Sequence, residues 1–554
     1  GLTKKGIKKY SRCLKSSGCL VNLSAKEIYY MTKIQSSAQF KSYQPQQILL
    51  LPPSFDELID EHDLVRVVNR VVDSLNISGL INQYKGGGTT AYHPRMLLKI
   101  LLYAYSVKIY TGRKIAKALR QDIHFMWLSG MSRPDFRTIN NFRSSKAKEV
   151  IEQLFQQMLL FLMDHGYIKM ENYFCDGSTI SADCNKHKMV WKKNAERFKA
   201  GTEEKCRELF KEIDALNATE DKQYSGTDLE ERGLQAREIT AETIRGQADK
   251  LDAVITSSTG KQQRKALSLK KKLKQKEVII AAYGQQIELA GKRSGYNKTD
   301  NDASAMRMKN DELLPAYNAL AGCENQFILA VSIHQNTNDG SCFKDHLQKL
   351  EQQSPVLPRA IVADSIFGTE QNYELLGSKR INNYLKFPSY QAEQKQSYRQ
   401  NPFLKDNFSY DASTDSYTCP NEKQLTLQSS YFQTHKRTGY QSAIKEYQCK
   451  DCKECPFYQQ CCKSTTGENR MIKVNEKLDT YTHQARKNLN SELGNALRKQ
   501  RCIEIESCFG DIKHNMGFRR FHLRGLKKVE TEFSLVAMAH NLRKLQIKQE
   551  EKAA

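Results

Sequence analysis

The chain has 554 residues, with 86 Lys and Arg against 62 Asp and Glu, for a formal net charge of +24 at pH 7. That length exceeds what one hydrophobic core usually fills, so three or four units are expected, and the charge favours a polyanionic partner, nucleic acid first, over a merely soluble basic protein. No run of about 18 apolar residues occurs, the nearest, residues 96–105, being broken by Lys99, which excludes a membrane-spanning helix.

Residues 1–47 are basic, weakly patterned and without an apolar signal core, and read as a flexible extension. A cytoplasmic location is expected, with the 15 Cys reduced or metal-bound. Ser54, with Glu57 three residues later, predicts a capped helix. Leu64, Val67, Val68, Val71, Val72 and Leu75 recur at helical spacing, Gly86-Gly-Gly breaks the pattern, and Pro94 opens an apolar helix. Thr111-Gly-Arg113-Lys starts a further helix, and Asp135 and Thr138 introduce another with Asn140, Asn141 and Arg143. The pair suits a helix-turn-helix reader of DNA, with Arg113 and Arg143 as contacts, and equally an ordinary helical bundle with a basic face. Val150, Leu154, Met158 and Leu162 predict a last helix, ended by Gly166, which closes a helical unit over 48–166.

Residues 172–176 form a short apolar run that ends in Asp176 and Gly177, as a buried strand does when it presents a carboxylate at its edge. Residues 192–293 turn to Lys, Glu, Gln and Ala and predict a helical or coiled-coil insertion. Strand character returns at 326–333 and is expected to turn at Asn336-Thr-Asn-Asp339-Gly, in a hairpin-rich meander. A helix near 343–350 leads to a second apolar run, Ile361-Val-Ala-Asp364, and a helix at 370–375 to a strand at 379–386. A third acid lies on the helix-like segment 501–520. Three carboxylates from separate elements can clamp two divalent ions about 3.5–4 Å apart for phosphoryl transfer. The chain therefore reads as a metal-dependent polynucleotidyl transferase of mixed α/β, multidomain build.

Phe174-Cys-Asp176-Gly-Ser-Thr-Ile, Val362-Ala-Asp364-Ser-Ile-Phe-Gly, and Glu506-Ser-Cys-Phe-Gly-Asp-Ile-Lys513 with the following Gly-Phe-Arg519-Arg520-Phe together resemble a bacterial insertion-sequence DDE transposase. The nearest group is the eleven-eighty-two group of insertion sequences. Tyr92-His-Pro-Arg-Met-Leu-Leu belongs to the same resemblance, which spans residues 48–545. It implies an RNase H-like catalytic core over 167–191, 294–390 and 490–545, with Asp176, Asp364 and Glu506 around Mg²⁺ or Mn²⁺. It also implies double-stranded DNA as partner, at element ends and target, and at least a dimer. Arg501 lies five residues before Glu506 and Lys513 seven after it, and no Tyr precedes Arg501 where some relatives carry one. A catalytically silent DNA-binding factor and a non-transposing RNase H-like nuclease are the alternatives.

Asp183, Asp300, Asp302 and Asp339 read as caps and turn acids, Asp339 in Asn-Asp-Gly most plainly. Glu504 and Glu506 stand about 200° apart on an α-helix. Ile505, Phe509, Ile512 and Met516 form the packing stripe, Glu506 and Lys513 share one border of it, where Lys513 is expected to hold a DNA phosphate, and Glu504 is expected to be a solvated surface acid. Residues 391–489 form a Cys-rich insertion. Cys449, Cys452 and Cys455 at x₂ spacing, with a fourth ligand from Cys419, Cys461 or Cys462, suit Zn²⁺, with an iron–sulfur cluster as runner-up. Arg519, Arg520 and Arg524 interleave with Phe518 and Phe521, which suits phosphate binding with bases or the core packing the rings. Leu535, Met538, Leu542 and Leu545 mark a closing helix.

Overall fold

Asp63 accepts the Val65 N–H and starts α1 (Leu64–Ser74), whose Val65, Val67, Val68, Val71 and Val72 are buried on one face, as helical spacing requires. The computed structural model describes residues 54–84, 91–221, 239–308, 310–462 and 468–553, so the extension at 1–47 and the Gly86–Gly88 break lie outside the described residues. The helix expected from Ser54 is not formed. Residues 55–58 make turns, and Arg66 fastens them by donating to the Asp56 carboxylate and carbonyl.

Pro94 sits in the first turn of α2 (Pro94–Ser106), which is buried along most of its length. Three short helices follow, α3 (Gly112–Ala118), α4 (Ile123–Leu128) and α5 (Phe136–Asn141), capped by Thr111, Asp122 and Asp135. The chain then winds through π and 3₁₀ turns into α6 (Ile151–Asp164), and Gly166, at φ 73°, ends that helix.

β1 (Asn172–Ser181) is the middle of a mixed sheet. It pairs antiparallel with β3 (Leu313–Glu324) and parallel with β5 (Ala360–Ala363), which pairs parallel with β6 (Asn382–Leu385). β2 (Ser304–Arg307) and β4 (Phe327–His334) both pair antiparallel with β3. β3 and β4 form a hairpin whose turn residues, Asn325 and Gln326, both have positive φ. The turn expected at 336–340 is instead a helix start: Asn338 caps α10 (Asp339–Gln353), and Asp339 is its first residue. α11 (Glu370–Ser378) links β5 to β6. This order of three antiparallel strands beside parallel ones, with helices on the faces, is consistent with an RNase H-like domain.

The segment after β1 makes α7 (Lys192–Asp221), α8 (Ala241–Ser257) and α9 (Lys261–Ala290), with a small core of their own that includes Phe210, Ile213, Leu251 and Leu273. The Cys-rich segment contains a sheet that its composition did not announce: β7 (Ser409–Asp411), β8 (Ser416–Thr418), β9 (Gln424–Thr434), β10 (Gln441–Cys449) and β11 (Met471–Val474) form an antiparallel meander. α12 (Glu476–Asn490), placed at first with that segment, buries Ala485 and Leu489 in the main core. α13 (Glu492–Arg501) continues through alternating π and α turns to Asn515, and α14 (Leu526–Ala553) closes the chain.

One hydrophobic core runs from the front helices through the sheet to α14. The helical front is therefore not packed as a separate body: the Tyr105 hydroxyl of α2 donates to Glu532 of α14 at 3.1 Å. Among the described residues no helix is long and apolar enough to cross a membrane.

Candidate active site

β1 does not end at Asp176, as its apolar run suggested; it continues to Ser181 with Asp176 in its middle. β5 stops at Ala363, and its last pairing with β1 is Val362 against Phe174. After Phe174 the β5 side of β1 lacks a strand neighbour among the described residues until Ser181, which exchanges backbone hydrogen bonds with Arg519 and Phe521, and Asp364 stands at the end of β5 beside that gap. The third acid arrives on the helical stretch after α13.

Arg501 joins these elements. Its Nη1 is 3.1 Å from Asp176 Oδ2 and its Nη2 is 3.0 Å from Glu506 Oε1, while its own side chain is 8% exposed. Burial opposes the guanidinium charge, but Asp176, Asp364 and Glu506 outweigh it and raise the Arg501 pKa. Burial pushes the Asp176 carboxyl above the usual range, although Arg501 pulls the other way. At Asp364 burial also acts against the charge. The Ser365 N–H, Lys386 and Arg501 together prevail, and its carboxyl lies below the usual range. Lys386 Nζ is 3.5 Å from Asp364 Oδ1.

The structure separates the two glutamates as their spacing implied, but it changes the reading of one. Glu506 faces Arg501 and is half exposed. Glu504 is buried, not solvated: it accepts the Gln326 N–H at 2.6 Å and a bond from Gln500, and so ties this helical stretch to the β3–β4 hairpin. Ile505, Phe509, Ile512 and Met516 are buried as expected. Lys513 donates to the Thr179 carbonyl of β1 at 2.8 Å.

The expected DNA contacts divide. Arg113 is exposed, its guanidinium 5.1 Å from the centre of the Phe136 ring, and Arg137 lies over the same ring at 5.8 Å. Arg143 is a core residue instead, 4% exposed, donating to the Tyr105 hydroxyl and the Tyr110 carbonyl, with Glu532 3.8 Å away. Arg519 donates to the Lys513 carbonyl, while Arg520 and Arg524 both clasp Asp183. Phe518 and Phe521 are fully buried, so their rings pack the core and are not placed to stack on bases. Asp300 and Asp302 are caps, as expected, accepting the N–H groups of Gly525 and Leu526 at the start of α14.

Cys419, Cys449, Cys452, Cys455, Cys461 and Cys462 line one small cavity, and all six are free thiols. The Arg470 N–H donates to Cys452 Sγ at 3.4 Å, and the Asn421 side chain to Cys455 Sγ at 3.5 Å. Among the described residues no three His, Cys, Asp or Glu side chains are spaced to hold a metal ion, here or at the carboxylates.

Sequence reasoning missed Lys386, which sits after β6 with no motif around it. It also missed the part played by Arg501, whose five-residue spacing from Glu506 was its one signal. A family model described as a transposase DDE domain matches residues 418–546, and a second, a transposase domain numbered DUF772, matches residues 53–145. Both matches are to transposase families, one over the front helices and one from the Cys-rich segment into α14. No curated protein matches the chain. The DDE-domain match includes Glu506 and the Cys cluster, while Asp176 and Asp364 lie before it, placed near Glu506 by the fold.

Proposed function

We propose that the chain acts as a transposase: it binds the ends of a bacterial insertion sequence as double-stranded DNA, cleaves there and joins the cut strand to target DNA. It would act as at least a dimer, so that two ends are held together. The observation that carries the reading is the convergence of Asp176, Asp364 and Glu506, from three separate elements, on one buried guanidinium.

These residues fit Mg²⁺ or Mn²⁺ in kind. Carboxylate oxygens are the donors such hard ions take, and the positive group among them is Arg501. Asp176, Asp364 and Glu506 would hold the ion, which when bound polarises the phosphoryl oxygens and lowers the pKa of the attacking water. The chain's own residues do the rest. The gap beside β1 between the end of β5 and Ser181 leaves room for a DNA strand at the carboxylates. Lys386 and Arg501 put positive charge beside them, where a phosphate must lie. Arg113, Lys114, Lys117 and Arg137 are exposed on α3 and α5 and form no ion pair among the described residues, which suits contacts to the DNA backbone. Arg519, Arg520 and Arg524, on the segment that packs against Tyr110 just before α3, add positive charge there beyond the one Asp183 that Arg520 and Arg524 share, and Lys513 holds the helix of Glu506 on β1. For the Cys-rich module Zn²⁺ is proposed from ligand type alone: six soft thiols line one cavity, though no three are spaced to hold an ion among the described residues.

The test is a strand-transfer assay with defined element ends, run with Mg²⁺ and with a chelator. Joined product with Mg²⁺ alone supports the reading, whereas end binding without any strand cleavage would favour a silent DNA-binding factor.

A further inference from the structure

The two insertions and the edge of the main sheet meet at a groove of about 810 Å³, whose wall carries five cations and, among the described residues, no carboxylate. The root of the helical insertion supplies three of them. Residues 189–191 pair antiparallel with 295–297, which brings Lys192, at the start of α7, beside Lys292 and Arg293, just past the end of α9. The turn between β9 and β10, in the Cys-rich insertion, supplies Lys436 and Arg437. That turn is fixed in place. Arg437 donates to Asn336 Oδ1 at 2.9 Å, and the Tyr440 hydroxyl lies 3.0 Å from a Glu370 oxygen and 2.6 Å from a Glu374 oxygen, both on α11. Ser304 of β2 also lines the groove, and its buried hydroxyl has no partner among the described residues.

Local roles account for part of this charge. Arg293 donates to the Leu289 and Asn301 carbonyls and so finishes α9, and Lys192 donates to the Gly291 carbonyl, with Glu196 3.9 Å away. Carbonyls accept from a cation without cancelling its charge. Burial holds the Arg293 guanidinium below its ordinary pKa, although Asp302 lies near enough to oppose that shift. Lys292 and Lys436 are exposed and form no ion pair among the described residues, so nothing within the fold accounts for their meeting here. Like charges brought together from two separate insertions repel one another, and an anion between them relieves that cost.

We propose that this groove binds the phosphate backbone of duplex DNA, at a site separate from the carboxylates because β3 stands between β2 and β1. A row of phosphates meets cations spread along an open groove, and such contacts position DNA without reading its sequence. This rests on the DNA-binding reading above.

Fluorescence anisotropy of the full chain on a labelled element-end duplex, in chelator and at several salt concentrations, tests it. Lys292→Ala combined with Lys436→Ala should keep the parent's melting temperature and lower the log–log salt slope by about two, one for each lost phosphate contact. Lys292→Gln with Lys436→Gln gives the same readout should the alanine pair fold poorly. Lys271→Ala with Lys272→Ala is the control, because those lysines are exposed on α9 about 30 Å along the helix from Lys292. The control slope should stay within about 0.5 of the parent's. A parent-like slope for the groove pair overturns this proposal, and overturns it alone where Arg113→Ala still flattens the slope. An equal drop in the groove pair and the control also overturns it, since net charge and not the groove would then set the slope. A parent that binds duplex DNA without salt dependence, or not at all, overturns the DNA-binding reading and this proposal with it.

Discussion

Arg501 and Glu506 share a 3.0 Å ion pair although they are five residues apart, because residues Cys502–Glu506 are wound as a π-helix. On a regular α-helix, positions five apart diverge by about 140°. The wider π turn returns the chain to the same face after five residues, and π segments of this kind concentrate at functional sites. The winding keeps Glu506 beside the guanidinium that also holds Asp176, and turns Glu504 toward the Gln326 N–H.

Arg501 then acts as the positive charge of the metal-free site. Arg501→Ala should lower stability in chelator by about 1–3 kcal/mol, less than for a fully buried pair because Glu506 is half exposed. Added Mn²⁺ should recover more of the melting temperature in the variant than it adds to the parent. A thermal-shift series with and without Mn²⁺ reads both, and equal Mn²⁺ shifts would mean that Arg501 does not stand where the ion binds.

The two glutamates should fail differently. Glu504→Ala leaves the part-buried Gln326 N–H without its carboxylate partner and should cost about 1–3 kcal/mol, read from urea melts. Its surviving folded fraction should still cleave. Glu506→Gln should melt close to the parent and not cleave.

Arg143 and Arg113 separate structure from DNA binding. Arg143→Ala leaves Glu532, fully buried, short of its cation and should destabilise by about 3–5 kcal/mol. Arg113→Ala should leave stability within about 0.5 kcal/mol and reduce the salt dependence of DNA affinity by about one unit of log–log slope. Fluorescence anisotropy on DNA at several salt concentrations, beside denaturant melts, distinguishes the two. A stable Arg143→Ala variant with weakened DNA binding would reverse the assignment.

His540 sets an alkaline limit. Its Nδ1 is 2.8 Å from Asp511 and its Nε2 is 2.9 Å from the Gln326 carbonyl, so both ring nitrogens face acceptors. Burial opposes the charged ring, but Cys508 and Asp511 overcome it and raise the pKa to about 10. A pKa raised on folding gives stability that is complete below the unfolded value of about 6.5 and is lost as pH climbs through the folded value. Cys508, lowered to about 6 by Cys323 and by His540 itself, ionises on folding and cancels that slope up to its ordinary value of about 9. Stability should therefore fall only between about pH 9 and 10, by at most about 1.4 kcal/mol per pH unit. His540→Gln should flatten that slope in melts taken across the range.

Much of the fold could be read from local pattern. Val65 to Val72 and the apolar run after Pro94 mark their helices through spacing and a first-turn proline, and the runs ending at Asp176 and Asp364 do become neighbouring parallel strands. What stayed hidden depends on partners far along the chain. Gly177 reads as a strand end, but its lack of a side chain serves Asp339 on another element, and β1 runs on. Arg143 looks like a surface cation because nothing near it in sequence shows that Glu532 waits in the core. Glu504 looks solvated on a regular helix because its acceptor role lies in a hairpin turn of the sheet. The meander around the Cys cluster is built on largely polar strands, the longest of them mostly exposed, so hydrophobic alternation does not reveal it.

The central claim is that Asp176, Asp364 and Glu506 perform the chemistry while other surfaces hold the DNA. The most direct measurement compares end binding with strand cleavage for Asp176→Asn, Asp364→Asn and Glu506→Gln, each in Mg²⁺ and in Mn²⁺. All three should bind element-end DNA within about twofold of the parent and lose cleavage by at least a factor of about 10³, a loss of transition-state stabilisation of about 4 kcal/mol. Parent-like cleavage by any one of the three, with its substitution verified, would contradict the account.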